Sequence, residues 1–371
     1  MLAYLARFAA GLLVLSALVL SACASAKEPA APPARIIAIG DLHGDYDAYE
    51  NLLEQAGLIN KRKRWAGGDA ILVQTGDVPD RGPDSLKIIK HLRKIQKQAR
   101  RKGGRVITLA GNHEAMNLGG DLRYVHPGEY EAFVNRNSVE LRNRVYEANR
   151  ESIESFYLEQ DETLSRDAIK EKWFEDTPLG MIEHQRAWRP EGEIGEWVVG
   201  NPAVAVIADS LFVHGGISEK YAGFTVAEIN RMTAEALKAR NLEPDSILND
   251  PMGPLWYRGL VRRGAPEEKE FGEETPMQDA SASPSAQSRL SIEEEINLVL
   301  DRYGVERIIV AHTPNLDGIK PSHGGKLIQI DTGISEFYGG THSFLEITVD
   351  GVFAHDDGGT SKLETSANAG K

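Results

Sequence analysis

Gly40-Asp41-Leu42-His43-Gly44 comes directly after the apolar run Ile36-Ile37-Ala38-Ile39. A short, uninterrupted run of this kind suits a strand buried on both faces, and the glycines mark a tight turn at its end. The arrangement recurs down the chain. Ala70-Ile71-Leu72-Val73 leads into Gly76-Asp77, Val106-Ile107-Thr108-Leu109 into Gly111-Asn112-His113-Glu114, and Ile308-Ile309-Val310 into Ala311-His312. Amphipathic segments fill the gaps, one at 48–56 and one at 85–101 with Leu86, Ile89, Leu92 and Ile95 along one side. Alternating buried strands and helices predict an α/β core.

Later segments change character. Residues 203–213 read as two strand halves around Asp209-Ser210, and 344–353 as a hairpin turning at Asp350-Gly351, so antiparallel pairs join the sheets. Residues 129–175 are charge-rich with helical spacing, which predicts a helical insertion within about 120–195. Residues 262–290 carry Pro, Ser, Ala and Glu without hydrophobic periodicity and read as a mobile loop. Ser291 with Glu294 is a capping box that restarts helix. The main domain is expected over 35–357, with a disordered tail over 358–371.

The chain has Lys+Arg 42 against Asp+Glu 55, a formal charge of −13. With no excess of basic side chains to neutralise phosphates, a nucleic-acid binder relying on counterion release is excluded. The one cysteine, Cys23, rules out an internal disulfide and a cysteine-based zinc site. Any metal must be held by His, Asp, Glu or Asn.

Such residues stand at the strand ends: Asp41 and His43, then Asp77, then Asn112 with His113, then His214 in His214-Gly215-Gly216, then His312. Singly, each is ordinary turn chemistry or a hydrogen-bonded core histidine. Together they put hard or borderline N/O donors at the carboxyl ends of five strands, where side chains can converge on one crevice, and they suit Mn, Fe or Zn.

In this order and strand context, 40–44, Gly76-Asp77-Val78-Pro79-Asp80-Arg81-Gly82, 111–114, 214–216 and 311–312 resemble the motif set of the phosphoprotein phosphatase branch of calcineurin-like metallophosphoesterases. With Ala115-Met116-Asn117 and 120–125 added, the chain is most similar to the Shewanella-like protein phosphatases. It departs from eukaryotic members in having Asp331-Thr332-Gly333-Ile334 where they carry Ser-Ala-Pro-Asn-Tyr-Cys. The resemblance implies a β-sandwich flanked by helices. It also implies two divalent ions, Mn²⁺ first and Fe or Zn as alternatives, which activate a water for attack on phosphorus. Asp41 and His43 would hold one ion, Asn112, His214 and His312 the other, and Asp77 would bridge. His113 would protonate the leaving oxygen, Asp80 would orient it, and Arg81 would fork onto phosphate oxygens. Arg258 is a second candidate phosphate clamp. Glu114 is expected to satisfy backbone or orient a ligand rather than bind metal, and Phe337 and Tyr338 to be ordinary core or loop aromatics, with packing against a substrate ring as the alternative.

The reading this supports is a phosphomonoesterase acting on phosphorylated protein, peptide or a small phosphoester. A dinucleoside polyphosphate hydrolase or phosphodiesterase could use the same donors. A non-catalytic binding module is disfavoured because every one of these positions keeps a reactive side chain. At the front, Arg7 and the apolar stretch 8–20 read as a signal peptide over 1–22. That stretch is about 13 residues, against roughly 20 for a membrane span. Leu20-Ser21-Ala22-Cys23 resembles a bacterial lipobox, which implies cleavage before a lipidated Cys23, an Ala/Pro tether over 23–34, and a membrane-anchored protein of the bacterial cell envelope.

Overall fold

The structure is a computed structural model that describes residues 35–263 and 290–365. Four of the apolar runs become strands: β1 (Arg35–Ile39), β2 (Ile71–Gln74), β3 (Arg105–Thr108) and β6 (Arg307–Val310). Between them lie α1 (Tyr46–Gln55), whose N-cap Asp45 accepts from the Ala48 amide, and α2 (Ser85–Arg100), which presents Ile88, Ile89, Leu92 and Ile95 to the core. The remaining strands are β4 (Val204–Ile207), β5 (Ser210–Val213), β7 (Lys320–Ser322), β8 (Leu327–Gln329), β9 (Phe344–Thr348), β10 (Gly351–Asp356) and β11 (Gly359–Lys362).

Two mixed sheets form, in the orders β11-β10-β9-β1-β2-β3 and β4-β5-β6-β8-β7. The strands that carry motifs pair in parallel, Ile37 beside Leu72 and Leu72 beside Val106 in one sheet, Phe212 beside Ile309 in the other. Alternation along β1 divides the core. Ile36 and Ala38 join Val73, Phe212, Ile309, Ile328 and Leu345 between the sheets, whereas Ile37 and Ile39 join Leu52, Leu53, Ile88 and Leu92 under the helices. A strand buried on both faces needs apolar residues at every position, which is what its sequence supplies.

Between α3 (Asn112–Gly119) and β4 runs a helical insertion: α4 (Pro127–Glu131), α5 (Ser138–Gln160), α6 (Arg166–Asp176), α7 (Met181–Trp188) and α8 (Glu193–Val199). The second half adds α9 (Glu219–Ala222) and α10 (Val226–Ala239), and the Ser291–Glu294 capping box opens α11 (Ile292–Tyr303). Among the described residues no helix is long and apolar enough to cross a membrane. The segments expected as signal peptide and tether lie outside the described residues, as does 264–289 of the expected mobile loop.

The tail expectation is corrected over 358–365, and 366–371 lie outside the described residues. Gly359–Lys362 pairs antiparallel with β10, Phe353 opposite Lys362, and Leu363 is buried beneath it. Asp356 caps the turn by accepting from the Gly358 amide. As an exposed edge strand of Gly, Thr, Ser and Lys, β11 has no apolar alternation to announce it.

Candidate metal centre

The turns after β1 and β2 are laced together by backbone. The amides of Leu42 and His43 donate to the Asp77 carbonyl at 2.9 and 3.1 Å, and Gly44 donates to Val78. Gly44 has φ +67, and a Cβ there would stand 2.4 Å from the Gly82 carbonyl. Only glycine allows that approach. Glu114, fully buried, accepts from the amides of Asp77 and Gly111 with one oxygen and from Val78 with the other. It ties the third motif to the second, as expected. Gly111 is equally constrained, since a Cβ there would lie 2.1 Å from Asp77 Oδ1.

These ties bring six expected donors together, all buried: Asp41, His43, Asp77, Asn112, His214 and His312. Asp41 Oδ2 is 3.9 Å from His43 Nε2, and its Oδ1 is 3.7 Å from His214 Nδ1. Asp77 Oδ2 sits 3.3 Å from His214 Nε2 and 3.8 Å from His113 Nε2. Two groups of donor atoms, His43, Asp77 and His113, and Asp77, His214 and His312, each lie within 4.8 Å of one another, with Asp77 common to both. Side chains from both sheets contribute. His43, Asp77 and His312 have positive φ, as do Asp80 and Arg81. For non-glycine residues this conformation costs on the order of 1 kcal/mol or more each and gathers at functional sites.

The donors fit metal ions. His43 Nδ1 donates to the Pro79 carbonyl at 3.1 Å and His214 Nδ1 to Thr75 at 2.9 Å. The Nε2 lone pairs are thereby left for a ligand, as in histidines oriented by backbone beside a metal. His214 Nε2 lies 2.9 Å from Asn112 Oδ1, so these two candidate donor atoms stand side by side. Asp41 Oδ1 and His312 Nε2 are buried without a hydrogen-bond partner. Burial, then the charges of Asp331 and Asp77, pushes the Asp41 carboxyl well above the usual range. Burial likewise lifts Asp331 to about 6. For His43, burial and then His113 depress the imidazole to about 3, and burial with Arg258 and His214 holds His312 low. Histidines kept neutral and crowded carboxylates are what divalent cations require and stabilise. Asp77 is the exception among the carboxyls. Burial alone would raise it, yet His214 and His113 hold it well below the usual range.

His113 and Asp80 stand at the edge of this cage, with His113 Nδ1 2.5 Å from Asp80 Oδ2. Asp80 Oδ1 accepts from Asn117 Nδ2, and Asp77 Oδ1 from the His113 amide. The Arg81 guanidinium lies 4.0 Å over the Tyr124 ring and 4.8 Å over Phe337. Arg258 is half-buried and close enough to His312 to disfavour its protonation. All ten expected site residues therefore gather at one place.

Sequence reasoning missed Asp331, whose carboxyl lies against Asp41, although the quoted segment 331–334 held it. It missed Tyr124, stacked on Arg81 and 5.3 Å from His113. For Phe337 and Tyr338 the reading as ordinary core or loop aromatics is corrected in favour of its alternative. Phe337 is 44% exposed beside Arg81, and the Tyr338 ring lies 5.3 Å from His43, so both belong to the rim of the site.

Residues 34–316 match the calcineurin-like phosphoesterase family model. The chain belongs to the calcineurin-like phosphoesterases and is a hydrolase. It is 31% identical to Shewanella-like protein phosphatase 2 of Arabidopsis thaliana over 82% of this chain and 72% of that one. Its fold is shared with the cold-active protein-tyrosine phosphatase of a psychrophilic Shewanella species, with a TM-score of 0.61, 25% identity, and coverage of 89% of this chain and 80% of that one. A symmetrical bis(5'-nucleosyl)-tetraphosphatase of Buchnera aphidicola matches over 91 residues only, 24% of this chain. The phosphatase relatives are thus matched over most of the chain, and the polyphosphatase over about a quarter of it.

Proposed function

We propose that the chain removes phosphate from phosphorylated protein side chains, aryl phosphates among them, with two divalent metal ions as cofactors. The observation that carries this is the sharing of Asp77 by two clusters of buried donors beside the His113–Asp80 pair. Asp41 and His43 would hold one ion, Asn112, His214 and His312 the other, and Asp77 both. The set of imidazole, amide and carboxylate donors favours Mn²⁺, with Fe or Zn next. Bound there, the ions would supply charge compensation for the phosphoryl oxygens and a water nucleophile at neutral pH.

The chain's own residues do the rest. Arg81, its guanidinium fixed against Tyr124 and Phe337, presents a planar fork to phosphate oxygens. Arg258 approaches from the His312 side. His113 holds a proton for the departing oxygen, and Asp80 aims the ring. The aromatic rim of Tyr124, Phe337 and Tyr338 offers ring faces to an aryl leaving group, and the likeness to a tyrosine phosphatase supports this preference. A phosphotyrosine peptide, a phosphoserine peptide and diadenosine tetraphosphate, each with Mn²⁺ and with chelator, test the reading. Metal-dependent release of phosphate from the peptides, fastest from phosphotyrosine, is expected. Turnover of the dinucleotide alone overturns it.

We further propose that Cys23 is lipidated after cleavage of 1–22 and anchors the enzyme in the bacterial cell envelope. The support is the position of the one cysteine behind Leu20-Ser21-Ala22 and the poor span made by about 13 apolar residues. Radioactive palmitate should label the wild-type chain and not Cys23→Ala; equal labelling of both overturns the proposal.

A further inference from the structure

Asp80 and Arg81 are consecutive left-handed residues, with φ +74 and +67. Two such non-glycine residues in a row are held only where their surroundings over-determine them. The anchors come from the helical insertion. The Arg81 amide donates to the Tyr124 carbonyl at 3.0 Å. The Asp80 amide donates to Glu129 Oε1 at 2.8 Å, and the same oxygen accepts from the Ser85 hydroxyl at 2.6 Å.

Glu129 is the third residue of α4, three beyond the N-cap His126. That spacing ordinarily turns a glutamate back onto its own helix terminus. Here the His126 side chain accepts from the Gly128 amide, and Glu129 reaches across to the turn after β2 instead. Only 2% of it is exposed. Its other oxygen lies 3.7 Å from His184 Nε2 on α7, an imidazole enclosed by the rings of Tyr130, Phe133 and Trp188. A carboxylate buried at this depth, with one oxygen committed to the backbone of the residue that orients His113, couples the insertion to the proton donor.

We infer that Glu129 is a positioning residue for the His113–Asp80 pair, holding Asp80 in its left-handed conformation so that its carboxylate stays on His113. The inference rests on the hydrolase reading and on His113 as the proton donor. Without the acceptor on residue 129, Asp80 is free to relax to an ordinary φ, and its carboxylate swings off the imidazole. The metal donors are tied by other bonds and stay in place.

The consequence depends on the leaving group. Departure of an alkoxide-like phenolate needs the proton, and departure of a dinitrophenolate does not. Glu129→Ala should therefore lower kcat on phenyl phosphate by about 10- to 100-fold while leaving 2,4-dinitrophenyl phosphate within a few-fold and the bound Mn²⁺ unchanged. Glu129→Gln keeps an amide oxygen for both bonds and should restore most of the loss. Should Glu129→Ala not fold, Ser85→Ala loosens the same oxygen and is expected to give a smaller loss of the same selectivity. Equal losses on both esters, or none on either, in whichever variant folds, overturn the role of Glu129. A metal-loaded wild-type chain inert on both esters overturns the hydrolase reading with it.

Discussion

His113 Nδ1 and Asp80 Oδ2 meet at 2.5 Å, joining the first turn of α3 to the loop after β2. Burial alone would depress the imidazole. Asp77 first and Asp80 second outweigh it and hold His113 above its ordinary range. The sign follows. A histidine with a raised folded pKa contributes stability that is full below its unfolded value of about 6.5 and is lost as pH rises through the folded value. On the proposed mechanism, the proton that His113 would give the leaving oxygen is lost as pH rises through that same raised value.

The first prediction concerns that range. In wild-type protein, kcat on a phenyl ester falls as pH rises above the raised His113 value. Asp80→Asn removes one of the two supports and moves the fall to lower pH. His113→Asn lowers kcat by roughly 10²- to 10⁴-fold with metal content unchanged. A pH–rate series with metal analysis at each point checks all three.

A second prediction tests the shared carboxylate. Asp77→Asn deprives both donor groups of their common ligand. It should abolish activity on para-nitrophenyl phosphate and leave less than one tightly bound metal per chain. Equilibrium dialysis against Mn²⁺ reads the stoichiometry, and chelation of the wild type should abolish activity reversibly.

Asp331 supplies a third. Its negative charge, after burial itself, holds the Asp41 carboxyl protonated to higher pH. A metal must displace that proton, so uptake by the metal-free chain strengthens as pH rises. In Asp331→Asn the opposing charge is gone and Asp41 ionises at lower pH. The midpoint of Mn²⁺ uptake should shift to lower pH, which calorimetric titration over pH 5–8 would measure.

Arg81 supplies the fourth. A charged hydrogen bond to phosphate is worth about 1.5–3 kcal/mol, so Arg81→Ala should lower kcat/KM by about 10- to 100-fold. Arg81→Lys keeps the charge but loses the fork and the stacking on Tyr124 and Phe337. It should recover only part of the activity. Steady-state kinetics on one phosphopeptide suffices.

Legibility in the sequence followed the range of the interactions. Strand-end motifs were readable because each combines an uninterrupted apolar run with a turn and a donor within a few residues, and the six buried donors all come from such places. Glu114 was readable for the same reason, since its partners Gly111, Asp77 and Val78 lie in adjoining motifs. Asp331 was not, because its meaning comes from Asp41, brought beside it only when β1 and the segment after β8 pack together. Tyr124 and Glu129 sit in an insertion whose charge and helical spacing resemble any solvated helix, and their reach to Arg81 and Asp80 is tertiary. Phe337 and Tyr338 look like core aromatics in one dimension and prove to be rim. β11 was missed because a polar edge strand leaves no periodic trace.

Crystals grown with Mn²⁺ and measured at the manganese absorption edge address the central claim most directly. Two anomalous peaks should flank the Asp77 carboxylate, one against Asp41 and His43, the other against Asn112, His214 and His312. A difference map with no peak at Asp77, or with metal only on surface carboxylates, would contradict the assignment of these buried side chains to a paired-cation cage.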